Sequence, residues 1–432
     1  MSKVHLLSLG CPKNLVDSEK LLRRLSSEGM FLSSDPEDAD ILMVNTCGFI
    51  EAAKRESVEE ILKAAALKTK SGKKKLIVYG CLAKRSGEEL LKEVPEIDAL
   101  WGVGEDEKIV EYCRKAIAPA SPSKITRAKI RGVGILSDTP YAYLKIAEGC
   151  DRKCAYCVIP GIRGGFRSAP PEEIIKEAKR LVRAGAKELI VVAQDITSYG
   201  KDFGGYNLSR LLREIAAVRG DFRIRLLYLY PSSINEELID TIASEEKICK
   251  YIDMPLQHSE EKMLRLMGRG GSRAHFKKLV SKLRKKIPGV SIRTTFIVGF
   301  PQETEEDFKG LMSFIEEVRF DRLGAFVYSK EEGTPAAGLK GQVAKKIKQE
   351  RYERLMSAQA AISLEKNKEL VGRRFRALVD ETDGSVAIAR TCSQAPEIDG
   401  VVIIESGKAK KGSFVEVEII AAYDYDLKGI IA

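Results

Sequence analysis

Three hydrophobic runs in the first hundred residues each end in a cysteine that follows Gly or Thr. The runs KVHLLSLGC, DADILMVNTC and KKKLIVYGC end at Cys11, Cys47 and Cys81, and each precedes a helix-like stretch. The cysteines are 36 and 34 residues apart, a spacing that suits successive strand–helix units in a parallel sheet. Residues 1–118 are therefore predicted to form a parallel α/β domain, whose three thiols converge at the carboxyl edge of the sheet.

A longer alternation of strand-like and helix-like segments fills residues 140–365. Its apolar runs lie at 141–147, 188–193, 223–229, 251–256, 292–298 and 323–328, with amphipathic segments between them such as 172–185, 209–218 and 305–318. Six such repeats predict a partial (βα)6 TIM-like barrel, whose active site would lie at the carboxyl ends of its strands.

The composition changes on both sides of this predicted barrel. Residues 119–139 have no clear period and carry Pro, Ser and Gly, which predicts a linker. Residues 366–432 hold short strand-like runs and resemble the small antiparallel β-barrel called TRAM, a domain that often binds RNA. The chain is thus predicted to be a multidomain α/β protein with three folded domains.

Composition decides how the cysteines are interpreted. The longest apolar runs are far shorter than the roughly 18 residues of a membrane span, and the first residues do not resemble a signal peptide. We therefore expect a cytoplasmic protein without membrane contact. Nine cysteines in 432 residues are too few for a disulfide scaffold, and the cytoplasm keeps thiols reduced. Clustered thiols are then candidate metal ligands.

A second group of thiols follows the first strand of the predicted barrel. Cys150, Cys154 and Cys157 have the spacing C-x3-C-x2-C, whereas a structural zinc site takes four ligands. The next cysteine and histidine downstream are Cys249 and His258. Either a distant residue completes the site, or one coordination position is left open.

This motif, with Tyr156 just before its last cysteine, resembles the radical S-adenosylmethionine superfamily. In that family the three thiolates bind three irons of a [4Fe–4S] cluster, and the fourth iron binds S-adenosylmethionine. The resemblance implies that an electron from the cluster cleaves this cofactor to a radical that abstracts hydrogen from carbon. It also implies cofactor binding by Tyr156.

Other strand ends of the barrel offer weaker candidates. Gln194 and Asp195 could contact the methionine or ribose of the cofactor, and Gly299 could admit close approach of adenosine. The alternative for each is local packing or turn formation. His258 is predicted to be a hydrogen-bonding residue of the site wall rather than a metal ligand. Three isolated cysteines are assigned to packing: Cys113, Cys249 and Cys392.

The order of domains resembles the methylthiotransferases over essentially the whole chain. That resemblance implies that Cys11, Cys47 and Cys81 hold a second [4Fe–4S] cluster, whose open iron binds a sulfur species. One S-adenosylmethionine would methylate that sulfur, and another would generate the radical. A flavodoxin- or ferredoxin-like electron donor and a sulfur donor are implied as partners. An alternative of another class is a non-enzymatic metal-binding protein, with both triads as structural sites.

Two branches of this family act on different substrates. One modifies an adenosine of transfer RNA, and the other the β carbon of an aspartate in a small-subunit ribosomal protein of the uS12 type. The segments LGCPKNLVDSE (9–19), YLKIAEGC (143–150) and APEIDGVV (395–402) resemble the second, RimO-type branch. Gln302 stands where the family usually has Gly, which predicts a slightly different turn.

The distribution of charge agrees with a protein substrate. The net charge is +10, yet residues 366–432 contain ten Lys/Arg and eleven Asp/Glu, a net of −1. RNA binding normally requires a basic surface, so this domain better suits a basic ribosomal protein, with its acidic pairs as the docking surface. These pairs are Glu381/Asp383, Glu397/Asp399 and Asp424/Asp426. Residues 262–286, with ten Lys/Arg and no acid, are predicted to be a solvated helical face, the alternative being an RNA-binding surface.

Overall fold

The computed structural model describes residues 2–116, 136, 138–405 and 409–432. The chain forms two compact units, of which the first comprises residues 1–138, 149–151 and 157–165 and the second the remainder. Most of the predicted linker 119–139 lies outside the described residues.

The first unit contains the predicted parallel sheet. Its strands are β1 (Lys3–Ser8), β2 (Phe31–Leu32), β3 (Ile41–Thr46), β4 (Lys75–Gly80) and β5 (Ala99–Trp101), in the order β2-β1-β3-β4-β5 with every pair parallel. The intervening helices are α1 (Pro12–Ser27), α2 (Glu51–Ser71), α3 (Cys81–Glu93) and α4 (Asp106–Ala116).

Helices cover both faces of this sheet because its central strands are apolar at successive positions. Met43 and Ile77 belong to one core with residues of α1 and α4, whereas Val44 and Val78 belong to another with residues of α2 and α3. Neighbouring residues of a strand point to opposite faces, so uninterrupted apolar runs produce two cores.

The middle of the chain alternates short strands and helices. Its strands are β6 (Tyr141–Lys145), β7 (Ala147–Glu148), β8 (Arg167–Ser168), β9 (Glu188–Val192), β10 (Arg223–Leu226), β11 (Tyr251–Asp253), β12 (Ser291–Val298) and β13 (Arg322–Val327). Its helices are α5 (Ile159–Arg163), α6 (Pro171–Arg183), α7 (Leu208–Ala216), α8 (Glu236–Ser244), α9 (Glu261–Leu266), α10 (Arg273–Lys286), α11 (Glu305–Val318) and α12 (Lys345–Lys368).

Six of these strands form the predicted partial barrel. Two parallel three-stranded sheets, β6-β9-β10 and β11-β12-β13, are joined by a parallel bridge between Ile224 and Ile248. The prediction of six βα repeats is confirmed.

The C-terminal strands close into a five-stranded barrel. They are β14 (Arg374–Thr382), β15 (Ala387–Arg390), β16 (Val402–Ile404), β17 (Phe414–Ala422) and β18 (Leu427–Ile431), in the order β14-β15-β16-β18-β17. All pairs are antiparallel except β16 with β18, which are parallel. The predicted small barrel is confirmed, and this one pair departs from the expected antiparallel pattern.

Several charged residues have partners that the sequence did not predict. Asp399 accepts a hydrogen bond from the Tyr251 hydroxyl (2.7 Å) and lies 3.4 Å from Arg293, with its side chain only 2% exposed. Glu397 accepts a hydrogen bond from the Tyr141 hydroxyl. The prediction that this acidic pair docks a basic partner is therefore wrong for Asp399, whose buried carboxylate pairs with Arg293, whereas Glu397 is exposed and the prediction for it stays open.

The basic segment 262–286, predicted to be a solvated helical face, is helical and forms ion pairs. Residues 262–286 contain α9 and α10, and several of their cations pair with acids of α8 and α11: Lys262 with Asp307, Arg273 and Lys277 with Glu317, and Lys286 with Asp240. Cys113 and Cys249 are buried as predicted, whereas Cys392 is an exposed residue whose thiol forms a hydrogen bond with Cys249, so the packing prediction holds only in part for Cys392. In the described chain, no helix combines the length and apolar character that crossing a bilayer requires.

A buried ion cluster joins the two barrels of the second unit. The carboxylate of Glu188 on β9 accepts from Arg223 (2.7 Å), Arg225 (2.6 Å) and Arg390 (3.0 Å), and Arg390 also pairs with Asp380. Burial raises the pKa of the Glu188 carboxyl, but the three guanidiniums outweigh burial and hold it well below its usual range.

Replacing Glu188 by Gln should destabilise the second unit by about 3–5 kcal/mol, because three buried guanidiniums lose their shared anion. Urea unfolding followed by circular dichroism measures this change. Since the folded-state pKa is depressed, the stabilisation is complete above the unfolded-state pKa of about 4.3 and declines as pH falls below it. Glu214→Gln, which removes an exposed pair with Arg210, is the control and should cost less than about 1 kcal/mol. Equal effects of the two substitutions would contradict this role.

Candidate functional site

The three N-terminal cysteines lie at equivalent places in the fold. Cys11 is the N-cap of α1, Cys47 directly follows β3, and Cys81 is the first residue of α3 after β4. Because β1, β3 and β4 are neighbours in one parallel sheet, all three residues lie at its carboxyl edge.

Small residues before the cysteines permit this arrangement. Gly10 has a φ of +85°, and a Cβ there would lie 2.7 Å from the Cys47 sulfur. Gly80 has a φ of +104°, and a Cβ there would lie 2.3 Å from the Asn45 side-chain oxygen. The glycines noted in the sequence are thus required by backbone conformation and by close packing.

The surroundings of these thiols suit binding to a cationic group. Burial raises the pKa of Cys47, and it raises the pKa of Cys81 to about 11, with Cys11 adding to both shifts. A thiol in such a place becomes a thiolate when a metal replaces the lost solvation. The N-termini of α1 and α3 contribute partial positive charge beside Cys11 and Cys81.

Arg163 provides a cation that sequence reasoning missed. Its side chain, 1% exposed, donates to Asn14 Oδ1 (2.5 Å) and to Asp17 Oδ2 (3.2 Å). Asn14 Oδ1 in turn lies 3.7 Å from the Cys81 sulfur, and the Arg163 charge lowers the pKa of Cys81 against the effect of burial. The one signal in the sequence is an arginine six residues after Cys157, which does not reveal its long-range partners.

The second triad lies on the loop between β7 and α5. Cys150, Cys154 and Cys157 are all partly exposed, unlike the buried Cys47 and Cys81. The Cys150 amide donates to the Gly164 carbonyl (3.1 Å). The amide of Ala155, the residue after Cys154, donates to the Met267 carbonyl (2.9 Å). Among the described residues, no three His, Cys, Asp or Glu side chains form a group that could chelate a single metal ion.

Asp195 shows the local contacts that the sequence left open as the alternative to cofactor binding. Its buried carboxylate accepts from Arg152 Nε (2.9 Å), from the Thr197 amide (3.0 Å) and from the Ser198 hydroxyl (2.9 Å). Arg152, within the C-x3-C spacer, also donates to Ser233 (2.7 Å). Asp195 therefore anchors the cysteine loop to the end of β9.

Gln194 keeps a polar atom that a ligand could contact, whereas Tyr156 is part of an apolar cluster. The Gln194 amide nitrogen donates to Glu148 (3.2 Å), while its buried side-chain oxygen has no partner in the described structure. Tyr156 packs against an apolar cluster that contains Met263, Met267 and Phe300.

The end of β12 forms a tight turn. Gly299 has a φ of +70°, its amide donates to Glu303 (2.9 Å), and a Cβ there would lie 2.3 Å from the Lys348 side chain. Gln302 also adopts a positive φ, +67°, which explains why glycine suits this position.

His258 is completely buried beside this turn. Its Nδ1 accepts from the Glu260 amide (3.1 Å), and its Nε2 lies 3.8 Å from Glu303. Burial lowers the pKa of His258 to about 3, so the ring is neutral at physiological pH.

Three family models match this chain, in the same order as its domains. Profiles match for "Uncharacterized protein family UPF0004" over residues 3–102, the radical SAM superfamily over 144–315 and the TRAM domain over 371–431. Two curated relatives are named "Ribosomal protein uS12 methylthiotransferase RimO". The protein of Thermodesulfovibrio yellowstonii is 52% identical, with 100% of each chain covered. That of Geotalea uraniireducens is 47% identical, covering 99% of this chain and 98% of its own.

Solved structures show the same fold at low sequence identity. The radical S-adenosylmethionine methyltransferase TsrM from Kitasatospora setae, with cobalamin and a [4Fe–4S] cluster bound, matches with a TM-score of 0.58 at 13% identity. The match covers 95% of this chain and 84% of TsrM. The cobalamin-dependent radical enzyme OxsB matches with a TM-score of 0.53, also at 13% identity, over 84% of this chain and 56% of its own.

Proposed function

We propose that this chain, which belongs to the family of ribosomal protein uS12 methylthiotransferases (RimO), adds a methylthio group to the β carbon of an aspartate in uS12. The observation that carries the proposal is the placement of six cysteines. Three follow adjacent strands of one parallel sheet, and three occupy the loop after the first strand of a partial barrel. Each triad supplies three thiol ligands at the carboxyl ends of strands, where ligands of such folds bind.

Each triad is proposed to hold one [4Fe–4S] cluster. Cys150, Cys154 and Cys157 would hold the cluster that binds S-adenosylmethionine, and the N-terminal triad, Cys11, Cys47 and Cys81, would hold the cluster that carries sulfur. When bound, the barrel cluster would supply the electron that cleaves S-adenosylmethionine, and the resulting radical would remove hydrogen from the substrate carbon. Tyr156, Gln194 and Gly299 are proposed as contacts to the cofactor, Gln194 through its unpartnered oxygen.

The protein's own residues would fix and shield these sites. Arg152, held by Asp195 and Ser233, orients the cysteine loop, and Arg163 offsets negative charge at the N-terminal thiols. The apolar cluster around Tyr156 keeps water from the barrel site, which protects a radical from side reactions.

The remaining partners follow from this reaction. We infer a flavodoxin- or ferredoxin-like electron donor, a separate sulfur donor and, because the substrate is a ribosomal protein, a cytoplasmic location. The proposed domains are 1–118 for the sulfur-carrying cluster, 140–365 for the radical barrel and 366–432 for the TRAM-like barrel, with 119–139 as the linker.

Incubation of the anaerobically reconstituted enzyme with uS12 and, separately, with transfer RNA tests the substrate. We expect a mass increase equal to replacement of H by CH3S on one aspartate of uS12, and no methylthio adenosine. Transfer RNA modification without uS12 modification would overturn the substrate assignment. Zinc in place of iron after native purification would overturn the enzymatic proposal, in favour of a structural metal protein.

A further inference from the structure

Arg269 differs from the rest of the basic segment 262–286. It lies in the loop between α9 and α10, partly buried, and its Nη1 donates to the Cys154 sulfur at 3.7 Å. Its Nη2 donates to the Pro255 carbonyl (2.5 Å), and its guanidinium lies 4.2 Å from the centre of the Tyr230 ring. The contacts with Pro255 and Tyr230 therefore fix the guanidinium against the sulfur of Cys154.

The loop that carries Arg269 is fitted to the cysteine loop. Gly268 has a φ of +64°, and a Cβ there would lie 2.3 Å from the Lys153 carbonyl oxygen, so a larger residue would push the loops apart. The Met267 carbonyl accepts from the Ala155 amide on the other side of Cys154. The position of the Arg269 side chain is thus set by backbone packing on both sides of Cys154.

The other arginine near this loop has a carboxylate partner. Arg152 pairs with Asp195, which compensates its charge. For Arg269 the partners within the described structure are a sulfur, a carbonyl and an aromatic ring, none of which is a carboxylate. An arginine stays protonated at any pH in the protein's working range, so its positive charge acts directly on the thiolate.

We propose that Arg269 is a positioning residue for the barrel cluster, which donates an N–H···S hydrogen bond to the Cys154 thiolate and raises the cluster's reduction potential. This proposal rests on the proposed function, since it assumes a cluster on Cys150, Cys154 and Cys157. Reduction adds one negative charge to the cluster, so a fixed cation and a hydrogen bond to sulfur stabilise the reduced form more than the oxidised form.

The test uses a parent variant in which Cys11, Cys47 and Cys81 are replaced by alanine, so that the barrel holds the single cluster. Arg269→Gln and Arg269→Lys are compared with the parent and with Arg265→Gln, which removes an exposed arginine of the same segment. Redox titration monitored by electron paramagnetic resonance gives the midpoint potential without any turnover. At the parent's midpoint, Arg269→Gln should lower the ratio of reduced to oxidised cluster about tenfold, the effect of losing one hydrogen bond to a charged group. The ratio for Arg269→Lys should lie between those of the parent and Arg269→Gln, and the ratio for Arg265→Gln should match that of the parent.

Iron analysis and thermal melting separate the outcomes. If the parent itself binds no iron, the proposed function fails and this inference fails with it. If the parent and both Arg269 variants hold a cluster with the same midpoint potential, the proposed function stands and the role of Arg269 is overturned. If both Arg269 variants fold with unchanged melting but hold no iron, the tuning role is also overturned, and Arg269 is instead required for cluster assembly.

Discussion

Replacing Cys150, Cys154 and Cys157 together by alanine should abolish reductive cleavage of S-adenosylmethionine and leave one cluster per chain. These three thiols are the ligands that the C-x3-C-x2-C loop offers, and the remaining triad lies in a separate sheet of the first unit. Anaerobic incubation with dithionite, followed by chromatography of 5′-deoxyadenosine, should give only the background seen without enzyme. Iron and sulfide analysis should show loss of half the cluster content.

A single substitution of a cysteine outside both triads provides the control for this experiment. Cys392→Ala should retain both clusters and full cleavage, because Cys392 lies in the C-terminal barrel far along the chain from either triad. Cleavage at the wild-type rate in the triple variant would remove the radical mechanism from this loop.

Local patterns were enough to predict most of the fold and the position of the candidate ligands. The apolar runs before Cys11, Cys47 and Cys81 had strand length and lay about 35 residues apart, so adjacent parallel strands were the simplest arrangement. Sheet order then determined that the thiols share one edge. These inferences succeeded because hydrophobic periodicity and strand–helix alternation are local properties of the sequence.

Charged residues were predicted poorly because their partners lie far away in sequence. Asp399 was expected on a docking surface, yet it pairs with Arg293, and the sequence left Asp195 open between cofactor contact and local packing, of which the structure shows a bond to Arg152. Arg163 and Arg269 were missed altogether. Arg269 donates to the Cys154 sulfur, and Arg163 donates to Asn14, which lies beside the Cys81 sulfur. No periodic signal marks such pairs, since burial of a charge is decided by the whole fold.

Replacing Cys11, Cys47 and Cys81 by alanine should separate sulfur transfer from radical formation. The barrel loop keeps its own anchors, Arg152 with Asp195 and Ala155 with Met267, so 5′-deoxyadenosine should still form under anaerobic reduction. Methylthio-aspartate on uS12 should fall to background, because no site remains to hold the sulfur that is transferred. Mass spectrometry of uS12 and quantification of 5′-deoxyadenosine in the same reaction measure both quantities. Arg167→Gln, an exposed substitution in β8, should leave both products unchanged and serves as the control. An undiminished level of methylthio product in the triple variant would mean that the N-terminal thiols have only a structural role. Loss of both products would mean that the two triads do not act separately.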